Sequence, residues 1–247
     1  MLPAEMTALT DPNHTDYATR LAEVKARIAR AAAQAGRPVT DVQLLAVSKT
    51  FPLCAVDAVA AYGQKAFGEN YAQEGVEKAA ARPDLEWHFI GPIQSNKTRG
   101  IAEHFSWVHT IDRLKIAQRL SEQRPAGVSP LQVCVQVNIS GEDSKSGCAP
   151  DEALALCQAV AGLPNLVLRG LMAIPEVTGD SALQQRHFAA LRDLQATINQ
   201  HGLCLDTLSM GMSDDLEAAI SAGTTLVRVG SAIFGKRTYP DTHGGSA

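Results

Sequence analysis

The sequence predicts an α/β fold, a single (β/α)8 barrel with one extra helix at its N-terminal side. Three observations predict it. Eight short apolar or β-branched runs alternate with Ala/Leu-rich stretches of helical length. Several of those runs are continuously apolar, as strands buried on both faces of a parallel sheet are. The 247 residues carry no Pro- or Ser-rich linker, and one such barrel takes about 250. Pattern alone also permits a doubly wound open sheet.

The extra helix comes first. Tyr17, Leu21, Val24, Ile28, Ala31 and Ala35 recur at alternating spacings of four and three, which draws one apolar stripe along a helix from Thr15 to Ala35. Thr15 or Asp16 is placed to cap it, and Gly36 followed by Pro38 stops it. Arg20, Glu23, Arg27 and Arg30 on the other face read as a solvated surface. Strands are then expected at Val42–Ser48, Lys65–Gly68, Glu86–Gly91, Trp107–Thr110, Leu131–Ile139, Leu166–Met172, Leu205–Met210 and Thr225–Val229. Helices are expected between them at Leu53–Tyr62, Asn70–Ala81, Gln94–His104, Asp112–Gln123, Pro150–Ala161, Ser181–His201 and Ser213–Ala222. Parallel strands need such crossovers. One domain over residues 14–238 is expected, with flexible ends at 1–13 and 239–247.

Composition narrows the function. Lys and Arg number 22 against 26 Asp and Glu, a net charge of −4 without a basic block, which argues against a nucleic-acid or anionic-membrane binder. The opening MLPAEMTALTDPNHT lacks a basic segment followed by an apolar one, so no signal peptide is expected. No run reaches the ~18 apolar residues of a membrane span. Cys54, Cys134, Cys148, Cys157 and Cys204 are scattered, with no CxxC. They read as buried, reduced thiols of a cytoplasmic protein, not as a metal or disulfide framework.

In a barrel the chemistry lies where strands end. The first strand, LLAVSKT, ends at Lys49. A lysine there either escapes to solvent or, with its pKa lowered by burial, serves as a Schiff-base amine. The seventh strand ends in a Ser-Met-Gly-Met-Ser turn and the eighth in Val229-Gly230-Ser231. Loops after these two strands form the recurrent phosphate site of such barrels, and Gly230 permits close backbone approach. Ser213 is then a phosphate ligand or an ordinary helix cap. Asp214 and Asp215 would repel a phosphate and must point away. Arg228, inside the eighth strand, cannot shed its charge; it needs a structural carboxylate or the ring nitrogen of a cofactor. A Schiff-base lysine, a phosphate cup and an arginine for a heteroaromatic nitrogen together describe pyridoxal 5'-phosphate.

Longer motifs carry a resemblance. AVSKT (46–50), FGENYAQE (67–74), WHFIGPIQSNK (87–97), VNISGEDSKSG (137–147), GLMAI (170–174) and SMGMSDDLEAAISAGTTLVRVGSAIFG (209–235) resemble those of the pyridoxal phosphate homeostasis proteins of the YggS/PROSC type, from Val42 to Gly235. The resemblance implies a barrel related to the alanine racemase N-terminal domain. Lys49 would hold the cofactor covalently. Ser213 and the backbone of Gly230 and Ser231 would hold its phosphate, and Arg228 would face the pyridine nitrogen. Asn70 and Ser209 would line the ring side. His88 is either a pocket residue or a polar core residue. No metal is expected.

The expected role is a carrier of vitamin B6 cofactor, acting in intracellular homeostasis by buffering the aldehyde or delivering it to apo-enzymes that depend on it. An arginine at the ring nitrogen leaves a weak electron sink. A racemase would then need strong acid/base groups on both faces. In alanine racemases one is a tyrosine from a second domain. Of Tyr17, Tyr62, Tyr71 and Tyr239, only Tyr71 falls near the strand ends. The alternatives are a low-activity amino-acid racemase and a scaffold whose cofactor is structural. A monomer is expected. Lys97, Arg99, Lys145, Lys236 and Arg237 read as solvated loop charges or as a second site for cofactor or partner.

Overall fold

The computed structural model describes residues 14–142, 146–176, 178 and 180–235. The expected flexible ends lie outside them, as do Lys145, Lys236, Arg237 and Tyr239. Eight parallel strands close into a barrel in chain order, which removes the open-sheet alternative. They are β1 (Gln43–Val47), β2 (Ala66–Glu69), β3 (Glu86–Phe89), β4 (Trp107–Ile111), β5 (Leu131–Gln136), β6 (Leu166–Met172), β7 (Thr207–Ser209) and β8 (Leu226–Val229). Closure pairs β1 with β8, with Leu45 opposite Arg228 and Ala46 opposite Val229.

The N-terminal helix α1 (His14–Gln34) buries the expected stripe, with Tyr17, Leu21, Val24, Ile28 and Ala31 all shielded from solvent. Burying each large aliphatic side chain contributes roughly 1.5–3 kcal/mol. Thr15 and Asp16 lie inside this helix and so are not its cap; Asp16 pairs with Arg20 instead. Gly36 takes φ +66 past the helix end. The crossovers are α2 (Leu53–Ala61), α3 (Ala72–Ala81), α4 (Thr98–His104), α5 (Leu114–Gln123), α6 (Ala153–Ala161), α7 (Ser181–Gln200) and α8 (Leu216–Ala222). One short helix, α9 (Ser231–Phe234), was not expected. Its four residues are too few for a periodic signal, yet it carries Phe234 onto Tyr17 of α1, ring centroids 6.0 Å apart.

Several element starts move. The stretch expected as a helix from Gln94 begins as a 3-10 turn over Ser95–Lys97. The chain at Asn70 is not helical, because Tyr71 ahead of α3 is extended at φ −111, ψ 119. Helix α8 starts at Leu216, not Ser213: Gly211 takes φ +92, and the Asp215 carboxylate accepts the Met212 N–H, closing a separate turn. Of the cysteines, Cys134, Cys148 and Cys157 are buried, but Cys54 and Cys204 are exposed. No group of three or more His, Cys, Asp or Glu among the described residues is placed to hold a metal ion.

Two kinds of core result from the alternation of side chains along each strand. One face of the strands packs against the helices in a large apolar shell. The other face fills the barrel, where apolar side chains form two small clusters: Leu45, Val47, Ala66, Ile90 and Leu226, and Trp107, Cys134 and Met172. Polar side chains share that interior. His88, His109, Ser209 and Arg228 are all buried.

Candidate functional site

At the C-terminal ends of the strands lies a cavity of about 230 Å³. Lys49, Asn70, Ser213, Arg228, Gly230 and Ser231 line it, together with apolar Val47, Phe51, Ile90 and Ile174. Six of the seven expected site residues therefore converge on one space. Ser209 does not line it. It sits behind Arg228, its hydroxyl accepting from the guanidinium at 2.8 Å.

Lys49 stands two residues past the end of β1, after Ser48, and is half-buried. The backbone on either side of it is clamped by groups the sequence reading passed over. The Ser48 carbonyl accepts Lys78 Nζ at 2.9 Å, and the Thr50 N–H donates to Glu74 at 2.7 Å. Lys78 also donates to Glu69 (2.8 Å) and Glu74 (2.6 Å), and the Ser48 hydroxyl donates to Glu69 at 2.6 Å. Thr50 is held at φ +69, a left-handed conformation that costs a β-branched residue roughly 1–3 kcal/mol. Burial pushes the Glu69 carboxyl above its usual range despite Lys78. The signal was present in FGENYAQEGVEK: Glu74 and Lys78 stand four apart on a helix that follows a strand-end glutamate.

Asn70 reaches the cavity from the loop after β2. Gly91 makes that possible, since a Cβ there would stand 2.0 Å from the Asn70 carbonyl oxygen. The Asn70 side-chain oxygen is buried without a hydrogen-bond partner, which is costly unless a ligand supplies a donor.

On the opposite wall, the Ser231 and Ser213 hydroxyls lie 3.3 Å apart. Gly230 precedes α9, whose first N–H groups have no partner within the helix. A Cβ at Gly230 would press the β1 backbone at Val47, 3.2 Å away. Asp215 turns into its own loop, while Asp214 stays exposed at the cavity rim. Arg27 was expected on a merely solvated face. Instead it donates to the Ser213 carbonyl at 3.0 Å and pairs with Glu217, so α1 steadies this turn.

Arg228 is buried and donates to Ser209 and to the Ala173 carbonyl (3.0 Å). No carboxylate bonds it among the described residues. Burial lowers its pKa to about 10, so it remains a cation at neutral pH. His88 is a buried core residue, not a pocket residue, hydrogen-bonded to Glu86 and to His109. Tyr71 is exposed and does not line the cavity.

Known proteins match this arrangement along most of its length. Residues 19–238 fit the family described as alanine racemase, N-terminal domain. A pyridoxal phosphate homeostasis protein of Pseudomonas aeruginosa is 63% identical over 90% of this chain and 96% of its own. One from Escherichia coli is 52% identical over 91% and 98%. The solved structure of PipY from Synechococcus elongatus with pyridoxal phosphate bound superposes with a TM-score of 0.77 at 37% identity, covering 89% of this chain and all of that one. An alanine racemase of Clostridium difficile shares the fold alone, with a TM-score of 0.71 at 14% identity over 95% of this chain and 61% of its own.

Proposed function

Because the chain belongs to the family of pyridoxal phosphate homeostasis proteins, built as an alanine racemase N-terminal domain, we propose that it binds pyridoxal 5'-phosphate in the cavity at the mouth of the barrel and serves intracellular cofactor balance. The observation that carries this reading is the convergence of Lys49, Asn70, Ser213, Arg228, Gly230 and Ser231 on one space. The partnerless Asn70 oxygen fits a guest that brings a hydrogen-bond donor.

The cofactor supplies an aldehyde that condenses with a primary amine, releasing water. Lys49 is that amine. Ser213, Ser231 and the backbone at Gly230 bind the phosphate, where unpaired N–H groups favour an anion. Arg228 donates to the ring nitrogen and cannot hand over a proton, which favours storage over catalysis. The lining brings Lys49 and Asp214 as ionisable groups besides Arg228, a thin provision for proton transfer on two faces. We therefore favour a carrier in the cytoplasm that buffers or delivers the cofactor, its binding unit spanning 14–238, over a weak amino-acid racemase. No helix among the described residues is long and apolar enough to cross a membrane.

The test is the visible spectrum of the purified protein with pyridoxal phosphate, before and after borohydride, followed by peptide mapping. The reduced adduct is expected on Lys49, and Lys49→Ala is expected to lose it while keeping its unfolding midpoint. Trapped cofactor in that variant would overturn the assignment. Ordinary enzyme rates of α-proton exchange across a panel of amino acids would overturn the carrier reading, whereas transfer of the cofactor to an apo-enzyme would support it.

A further inference from the structure

Two histidines inside a barrel demand an account, since burying a polar ring without partners is costly. Here an unbroken line of hydrogen bonds crosses the interior. Arg228 Nη1 lies 2.8 Å from Ser209 Oγ, which lies 2.8 Å from His109 Nδ1. His109 Nε2 lies 2.9 Å from His88 Nδ1, and His88 Nε2 lies 2.7 Å from Glu86 Oε1. Glu86 opens β3, so the line starts at the cavity and ends at the partly exposed opposite mouth of the barrel.

The two ends fix its direction. A guanidinium only donates and a carboxylate only accepts, while a neutral imidazole does one of each. With both imidazoles neutral and Glu86 ionised, one assignment satisfies every link. Arg228 donates to Ser209, Ser209 to His109 Nδ1, His109 Nε2–H to His88, and His88 Nε2–H to Glu86. Both rings then carry their proton on Nε2. A second proton on His109 would make Ser209 accept from both sides, and one on His88 would force His109 into the other tautomer; either change reverses part of the line.

We propose that Glu86, His88, His109 and Ser209 act as a directional relay that orients the Arg228 guanidinium toward the cavity, making these four positioning residues for the ring-nitrogen contact. This rests on the reading of the cavity given above. The relay commits the Ser209 hydroxyl to His109, so Ser209 offers no proton to a ligand. With the Ala173 carbonyl it holds Arg228 at two corners. The anion at the far end strengthens each donor in the line.

The surroundings favour the neutral rings. Burial holds both histidines below the ordinary value, His109 well below, with Arg228 acting in the same direction on His109. Glu86, bonded to His88, stays ionised below the usual carboxyl range. The other charged and titratable groups packed nearby are Arg169 on β6, stacked on Trp107 and paired with Asp206, Cys134 on β5, and Asp215 beyond β7.

The test is 15N–1H NMR of the full chain carrying 15N-histidine, without cofactor and then with pyridoxal phosphate. His88 and His109 are expected as single Nε2–H tautomers at pH 7 and to keep that form when the pH is lowered to about 6. Glu86→Gln retains an acceptor and is expected to preserve both tautomers. Glu86→Ala is expected to lose the single-tautomer pattern at His88 and at His109, which Glu86 does not touch, and to shift the visible band of the loaded protein and its pH profile. A charged or Nδ1–H ring at pH 7, or His109 signals indifferent to Glu86→Ala, would overturn the relay. If Glu86→Ala fails to fold, the tautomers of the unsubstituted protein and of Glu86→Gln decide. Failure to bind the cofactor at all would overturn the reading of the cavity while leaving the cofactor-free spectra to judge the relay.

Discussion

The two cations that face the cavity are secured in opposite ways. Lys49 is fixed through its backbone: Lys78 grips the carbonyl before it and Glu74 the N–H after it, from the helix side of β1. Arg228 is fixed through its side chain, held by neutral oxygens of Ser209 and Ala173 from inside the barrel. The clamp at Lys49 is an ionic cluster, whereas Arg228 bonds no carboxylate among the described residues: its line of hydrogen bonds ends on Glu86 at the far mouth, and Asp215 acts on it only through space. The difference suits the proposed roles. An amine that forms and breaks a covalent bond needs a still base, while a charge that reads a ring nitrogen needs a still tip.

Breaking the ionic side has the largest expected effect. Lys78→Met leaves Glu69 buried without its cation, which costs about 3–5 kcal/mol, read as a lower urea midpoint. The double variant Glu69→Gln/Lys78→Met is expected to recover most of that loss; no recovery would mean that Lys78 acts through packing alone. On the other side, Arg228→Gln removes a charge-assisted contact worth roughly 1.5–3 kcal/mol. The Kd for pyridoxal phosphate, measured by absorbance titration, is expected to rise about 10- to 100-fold. An unchanged Kd would remove Arg228 from the ring-nitrogen role.

Proton linkage sharpens the contrast with a smaller effect. His88 and His109 are held below the ordinary histidine value by burial. Their contribution is fully present above about pH 6.5, the unfolded-state value. It erodes as pH falls below that, because the unfolded chain takes up protons the folded rings refuse. Each ring contributes a slope of up to about 1.4 kcal/mol per pH unit. Urea midpoints between pH 7 and 5.5 are expected to fall accordingly, and His109→Asn to fall less steeply. Equal slopes in the two proteins would show that His109 takes up a proton as readily folded as unfolded.

Much of the barrel is written in local spacing. The stripe from Tyr17 to Ala31 is buried as its periodicity requires, and Leu166–Met172 is a strand with the expected bounds. Lys49, Arg228 and the β7 and β8 turns were legible because a charged or glycine residue at a strand end is locally conspicuous. Element starts were less so. Ser213 looks like a helix cap by composition, but a turn closed by Asp215 occupies its place. The Glu69–Lys78 cluster was half legible, since Glu74 and Lys78 share a helix face while Glu69 and Ser48 join them only through the packing of α3 on the sheet.

The sequence by itself determined the alternation of strands and helices and the identity of the residues at the barrel mouth, because burial within one element depends on spacing along that element. Only the tertiary structure decided that Ser209 stands behind Arg228 instead of beside a ligand, and that Glu86, His88, His109 and Arg228 form one line. These residues span β3, β4, β7 and β8, and their meeting depends on closure of the sheet, with Leu45 opposite Arg228 and His88 opposite Trp107. No local period encodes that register. It follows from eight strands sharing one interior, where Arg228, Ser209 and His109 find their side-chain partners on other strands and His88 alone has one, Glu86, on its own.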